Sequence, residues 1–384
     1  MQMVDTPIIP TIAALVRETP GAISLGQGVV NFGPPPQALE AIAMMAAEPF
    51  NHKYQAVTGI APLITAIRSK LHRENNVADQ GQEIMVTAGS NMAFLNAVLA
   101  VGDIGDEFIL PLPYYFNQEM AVRMAGCVPV FAATRADFQL DLKALEAAIT
   151  PRTRAIVTVS PNNPTGAVYP QADLAVVNAL CKSRGLYHFS DEAYEYFVYD
   201  GAQHFSPASL PDADHHTLSF YSFSKTYGMA SWRIGYVVYP KHLTDAMNKV
   251  QDTNLICAPM VSQTVALQAL ALGRASVEPH LQALAKVRTR VYDALQPIAG
   301  IGEFPKTQGA FYVLMKLPGI DDALAFNQHM TRTHKVATIP GFAFGFTDSK
   351  HSNYQRLSYG ALDADSVEQG VRRFVAAVED WYGK

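Results

Sequence analysis

Ser222 and Ser224 lead into Lys225, Arg233 follows, and Gly235 closes the frame. A lysine amine is a nucleophile only where burial or neighbouring positive charge leaves part of it unprotonated. A serine hydroxyl donates one hydrogen bond, and a guanidinium makes charge-assisted, two-pronged contacts with an oxyanion. The four side chains together suit a molecule that carries an aldehyde for the amine and a phosphate for the other three. A second anion contact is offered by Ala88-Gly89-Ser90-Asn91, where a strand pattern gives way to a helical one. Backbone N–H groups at a helix N-terminus point at negative charge. The same run also serves as an ordinary N-cap, so a ligand role for Ser90 and Asn91 leans on the Lys225 frame.

Short apolar runs at 83–88, 107–111, 128–132, 155–160, 186–190, 217–221 and 233–239 read as strands. Helical patterns at 91–101, 115–125, 142–149 and 171–184 separate several of them. This alternation predicts an α/β fold, a mainly parallel seven-stranded sheet sandwiched by helices. Ligands of such sheets sit beyond the carboxyl ends of the strands, where the candidate chemistry recurs. From about residue 240 the pattern turns helical, with a long helix expected over 276–295. A smaller α+β section follows, with strands expected at 310–317, 336–339 and 356–358. The Gly- and Pro-rich opening residues are expected to pack with this section. The resulting division is a large domain over 41–275 and a small one from 1–40 and 276–384.

A formal charge of −5 and the lack of a long Lys/Arg run argue against a nucleic-acid surface. No stretch reaches the ~20 apolar residues of a membrane span, and the N-terminus has no basic region leading into an apolar run. Cys127, Cys181 and Cys257 are isolated, so neither a disulfide framework nor a cysteine metal site is expected, and no metal is assigned. A cytoplasmic protein is expected.

Read as Ser-Phe-Ser-Lys-Thr-Tyr-Gly-Met-Ala-Ser-Trp-Arg-Ile-Gly-Tyr, residues 222–236 resemble the cofactor-lysine signature of the class I and II aminotransferases, the fold-type I enzymes. The resemblance implies pyridoxal 5'-phosphate held covalently by Lys225, with Ser222, Ser224 and Arg233 on its phosphate. Ser190-Asp191-Glu192-Ala193-Tyr194 is similar to the family's Asp-Glu-x-Tyr segment. It implies Asp191 on the pyridine nitrogen and Tyr194 on the ring oxygen, with Glu192 structural. Asn162-Asn163-Pro164-Thr165-Gly166 looks like the family's Asn-Pro-x-Gly turn and implies Asn163 beside the ring oxygen and the substrate carboxylate. In Pro113-Tyr114-Tyr115 the stacking ring is implied to be Tyr115, with Tyr114 the alternative. Arg356 in Gln-Arg-Leu-Ser-Tyr resembles the arginine that grips the α-carboxylate, and Gly28 in Leu-Gly-Gln-Gly would approach the same group. Tyr54 matches the tyrosine that reaches the cofactor of a neighbouring subunit, which implies a twofold homodimer. Gln308-Gly309-Ala310-Phe311-Tyr312 and Ile339-Pro340-Gly341 also look like family segments.

The resemblance divides between the kynurenine, glutamine and methionine branch and the prokaryotic aspartate branch. Departures gather near the substrate: Val29-Val30-Asn31-Phe32 stands where kynurenine-branch relatives carry Phe-Pro-Asp-Phe, and Asn91 stands where some carry an aromatic. The expected activity is amino-group transfer between an L-amino acid and a 2-oxo acid in two half-reactions. Elimination at a C–S bond on the same scaffold is the alternative, and a non-catalytic cofactor-sensing domain is a third reading.

Overall fold

The structure, a computed structural model, describes residues 8–78, 81–346 and 353–383. Residues 1–7, part of the N-terminal stretch expected to lack a basic region before an apolar run, lie outside them.

Seven strands form the central sheet: β1 (Gln82–Thr87), β2 (Glu107–Pro111), β3 (Val128–Ala132), β4 (Thr153–Val159), β5 (Tyr187–Asp191), β6 (Thr217–Ser222) and β7 (Gly235–Pro240). Their order is β1-β7-β6-β5-β4-β2-β3. β2 pairs in parallel with β3 and β4, as do β4 with β5 and β5 with β6, whereas β7 runs antiparallel to both β1 and β6. β2 and β7 are buried along their whole length, as expected where helices cover both faces. Phe108 and Leu110 of β2 join Phe94, Phe189 and Phe220 on one face, while Ile109 points to the other with Ile156, Leu174 and Val177. Each such side chain contributes about 2 kcal/mol on burial, so one strand's worth rivals the net stability of a domain. Helices α1 (Ser90–Val101), α2 (Phe116–Met124) and α3 (Gln171–Arg184) are among the covering layers. α3 stops where Gly185 takes the left-handed conformation at φ 67°.

The smaller section carries α4 (Glu278–Leu295), α5 (Ala323–His334), α6 (Ala364–Trp381) and the strands β8 (Tyr312–Lys316) and β11 (Tyr354–Ser358). The single strand expected at 336–339 is instead two, Val336–Ala337 (β9) and Ile339–Pro340 (β10), in different sheets. β9 pairs in parallel with Ile23–Ser24, and β10 pairs with β11. The chain changes sheets at Thr338, whose carbonyl and hydroxyl both meet the buried Asn327 amide. The 233–239 strand also starts late, at Gly235, because Arg233 adopts a left-handed φ of 50° that no strand accommodates. Among the described residues no helix is long and apolar enough to cross a membrane.

Candidate active site

Register explains why the anion-binding residues meet. Gly235, at the start of β7, pairs with Thr87 at the end of β1 and with Ser222 at the end of β6. Because β7 is antiparallel to its neighbours, the beginning of one strand lies beside the ends of two others. Ser90, Ser222, Ser224 and Arg233 therefore border one cavity, of about 310 Å³. A Cβ on Gly235 would lie 2.7 Å from the Ser90 nitrogen, and one on Gly89 would lie 2.4 Å from an Arg233 guanidinium nitrogen. Only glycine lets these groups come so close. The Arg233 guanidinium donates to the Ala230 and Ala88 carbonyls at 2.9 and 3.4 Å.

Lys225 follows β6 in the short helix Phe223–Thr226 and borders the same cavity. Burial, then the positive charges of Arg233 and Arg356, lower its ammonium from 10.5 to about 8. At pH 7 about a tenth is thus the free, nucleophilic amine, and about half at pH 8. Nζ donates to the Gly28 carbonyl at 2.5 Å, which ties the N-terminal segment to the end of β6.

Asp191 ends β5 and faces the same cavity. Its carboxylate accepts from the Gln118 side chain at 2.7 Å and the Ala193 backbone at 3.2 Å. No ion pair forms with it among the described residues, and burial raises its pKa to about 6. A buried carboxylate with hydrogen-bond donors but no cation is suited to receive one. Tyr115 precedes α2 and lines the cavity, its hydroxyl 3.5 Å from the Asn91 amide. Tyr114 turns away to stack on Phe131 with ring centroids 5.1 Å apart, so Tyr115 is the one available to a ligand.

Asn163 and Arg356 are joined directly: one guanidinium nitrogen donates to Asn163 Oδ1 at 2.8 Å and the other to the Gly26 carbonyl at 2.6 Å. Arg356 is only 1% exposed and its Nε has no partner, so a strand arginine that could have been a solvated charge is a buried one with unused capacity. The Tyr312 and Phe344 rings both pack against it, with centroids 4.6 and 5.0 Å from the guanidinium carbon. Tyr194 receives a long hydrogen bond from Asn163 at 3.4 Å and shares a 2.7 Å bond with the Tyr312 hydroxyl.

The donor set matches pyridoxal 5'-phosphate: an amine for its aldehyde, an anion cradle for its phosphate and a buried carboxylate for its ring nitrogen. Of the residues singled out from the sequence, Ser90, Asn91, Tyr115, Asn163, Asp191, Tyr194, Ser222, Ser224, Lys225 and Arg233 line one cavity. Gly28 and Arg356 adjoin it through Lys225 and Asn163. Tyr54 does not reach the cavity of its own chain and is 79% exposed. Sequence reasoning missed Gln118 and gave Tyr312 no role. Gln118 lies one helical turn beyond Tyr115, a spacing that places both on one face. Tyr312 sits in the Gly309–Tyr312 run already singled out, where an aromatic in an apolar strand reads as core.

A sequence profile for the family described as aminotransferase class I and II matches residues 20–374. The aromatic aminotransferase ISS1 of Arabidopsis thaliana is 34% identical over 98% of this chain and 94% of its own length. A probable aspartate/prephenate aminotransferase of Aquifex aeolicus is 35% identical over 93% of this chain and 91% of its own length. Among solved structures, the aspartate aminotransferase of Thermus thermophilus with maleate superposes with a TM-score of 0.89 at 32% identity, covering 98% of both chains.

Proposed function

The chain belongs to the class I and II aminotransferases and is a pyridoxal 5'-phosphate-dependent transaminase, and from that premise we propose how its residues divide the work and which donors it takes. The observation that carries the proposal is the placing of Lys225, its pKa lowered to about 8 by burial and by the charges of Arg233 and Arg356, in one cavity with Ser90, Ser222, Ser224, Arg233 and Asp191. Ser90, Ser222, Ser224 and Arg233 hold the cofactor phosphate, and Asp191, steadied by Gln118, holds the ring nitrogen in its protonated form. Tyr115 stacks on the ring, while Asn163 and Tyr194 donate to its oxygen. When bound, the cofactor supplies an electron sink for the charge left at the substrate Cα.

Arg356 orients the substrate by its α-carboxylate, exchanging its contacts with Asn163 and Gly26 for a two-pronged one. The Lys225 amine takes the proton from Cα and later returns one, base and acid in turn. The amino group goes from an L-amino acid to the enzyme, and a 2-oxo acid takes it back. The relatives' names support this transfer over C–S elimination.

For the side chain, we infer an uncharged donor, aromatic or aliphatic. Among the described residues lining the cavity the cations are Lys225 and Arg233, both already engaged, and the remaining wall includes Val29, Ala193 and Ala230. The aromatic aminotransferase among the relatives supports this reading, whereas the aspartate aminotransferases among them favour a dicarboxylic donor. Mixing the cofactor-loaded enzyme with each amino acid and following the absorbance change to the aminated cofactor tests it. Uncharged donors should react fastest, and a faster response to aspartate or glutamate would overturn it.

We also propose that two chains form a twofold dimer with Tyr54 reaching the other chain's site. Exposed Tyr54, Phe50 and Ile256 support this, as does the left-handed φ of 70° at Ile256, a conformation costly for a β-branched residue. The division at 41–275 remains our domain assignment, with the smaller section bringing Arg356 to the larger. We place the enzyme in the cytoplasm, and its three free thiols agree with a reducing compartment.

A further inference from the structure

We propose that His329, His334 and Asp380 form a binding site for one divalent transition-metal ion of the zinc class. The three lie on α5 and α6 of the smaller section, and none of them borders the cofactor cavity. Both imidazole Nε2 atoms approach the same Asp380 oxygen, at 3.1 Å from His329 and 3.0 Å from His334. The candidate ligand atoms all lie within 4.8 Å of one another. Zinc bonds of ~2.0–2.2 Å in tetrahedral geometry set ligand atoms roughly 3.3–3.5 Å apart. The two imidazole–carboxylate spacings lie within about half an ångström of that edge length, and the two ring nitrogens, within 4.8 Å of each other, reach it by side-chain rotation.

Each ring is held by its surroundings. His334 ends α5, and Lys335 turns the chain there with a left-handed φ of 58°. His329 lies against Trp381, ring centroids 5.4 Å apart, and Trp381 meets Phe326 edge-on at 5.2 Å. Asp380, the residue before that tryptophan, is thereby fixed on the partner helix. In the metal-free arrangement the two rings share one carboxylate oxygen through their Nε2–H groups. A ring that ligates the ion does so through its Nε2 lone pair, with its remaining proton on Nδ1. The carboxylate gives up two hydrogen bonds for a bond to the cation.

Two imidazoles and one carboxylate suit zinc, cobalt, nickel or copper, whereas magnesium and calcium prefer all-oxygen sets. The Asp380 side chain is 54% exposed, so water has access to complete the coordination. The ion would bridge α5 to α6. On α6, Arg373 already donates to the Lys335 and Gly21 carbonyls, at 3.1 and 2.8 Å. Metal binding would thus tighten the section that carries Arg356 without touching the reacting groups.

The test uses the tag-free, chelator-washed holoenzyme with Zn²⁺ or Co²⁺ alone and no amino acid present. Calorimetry should show one equivalent of zinc per chain, and cobalt should give visible bands at longer wavelength than the cofactor. The His329→Ala/His334→Ala double variant should lose that equivalent and the zinc-dependent rise in Tm, while Asp380→Asn should weaken binding at least tenfold. Both variants should keep wild-type transaminase activity, which shows that they fold. Absence of saturable uptake by the wild type, or equal uptake by the double variant, would overturn the proposal.

Discussion

The hydroxyls of Tyr194 and Tyr312 meet at 2.7 Å, one from the segment after β5 and the other from the first residue of β8. The Tyr312 ring also lies under the Arg356 guanidinium, so one side chain touches both the group placed at the ring oxygen and the group placed at the substrate carboxylate. A Cβ at Gly28 would come within 2.4 Å of the same hydroxyl. We expect Tyr312→Phe to leave Tyr194 without this bond and to lower kcat/KM roughly tenfold, the worth of about one neutral hydrogen bond. Its absorbance-versus-pH midpoint should shift as well, which separates positioning of Tyr194 from a general loss of packing.

Lys225 sets a pH dependence in the apoenzyme. Its folded pKa lies near 8, below the ordinary 10.5, so between these values the unfolded chain binds a proton that the folded one does not. Apoenzyme stability contributed by this group should therefore rise as pH climbs through that window. The rate of covalent cofactor uptake should climb through pH 8 and then level off. Lys225→Ala should remove the covalent uptake and the turnover; steady-state transamination by this variant would refute its role.

Asp191 has the opposite sign. Its pKa is raised from 3.8 to about 6, so the folded apoenzyme holds a proton the unfolded chain lacks, and stability falls as pH rises across that interval. Above about pH 6 the cost is fully present. Asp191→Asn should raise apoenzyme stability at pH 7 by up to about 3 kcal/mol while cutting transaminase activity at least a hundredfold. Thermal unfolding of the apoenzyme, measured beside the turnover of the loaded enzyme, should show the two effects in opposite directions.

Tyr54 yields a test of the twofold arrangement. Tyr54→Ala and Lys225→Ala chains should each be weak or inactive alone. In a mixed dimer one site carries both defects and the other carries none. Random exchange should then restore roughly a quarter of wild-type activity. No recovery on mixing would show that each site is built from one chain.

The sheet was legible because its strands are continuous apolar runs separated by helical ones. The failures have local causes. At 336–339 both halves are buried and apolar, so no change of period marks the switch of sheets at Thr338. At Arg233 a left-handed backbone delays the strand, and a single arginine does not announce its φ. The cavity-lining residues could be found because chemistry restricts their type: few side chains replace a lysine, a buried aspartate or an arginine fork. Gln118 could not, since a glutamine on a helix looks like surface until the carboxylate it serves is placed beside it.

The bond between Arg356 and the Gly26 carbonyl joins positions 330 residues apart. At ~5–20 residues per second, the ribosome takes roughly twenty seconds to a minute to make that stretch. For that time the nascent chain holds Lys225 and Asp191 ever nearer completion while Ile23–Ser24, still without β9, waits as an unpaired edge. Catalytic competence thus waits for Arg356, made long after Lys225 and Asp191.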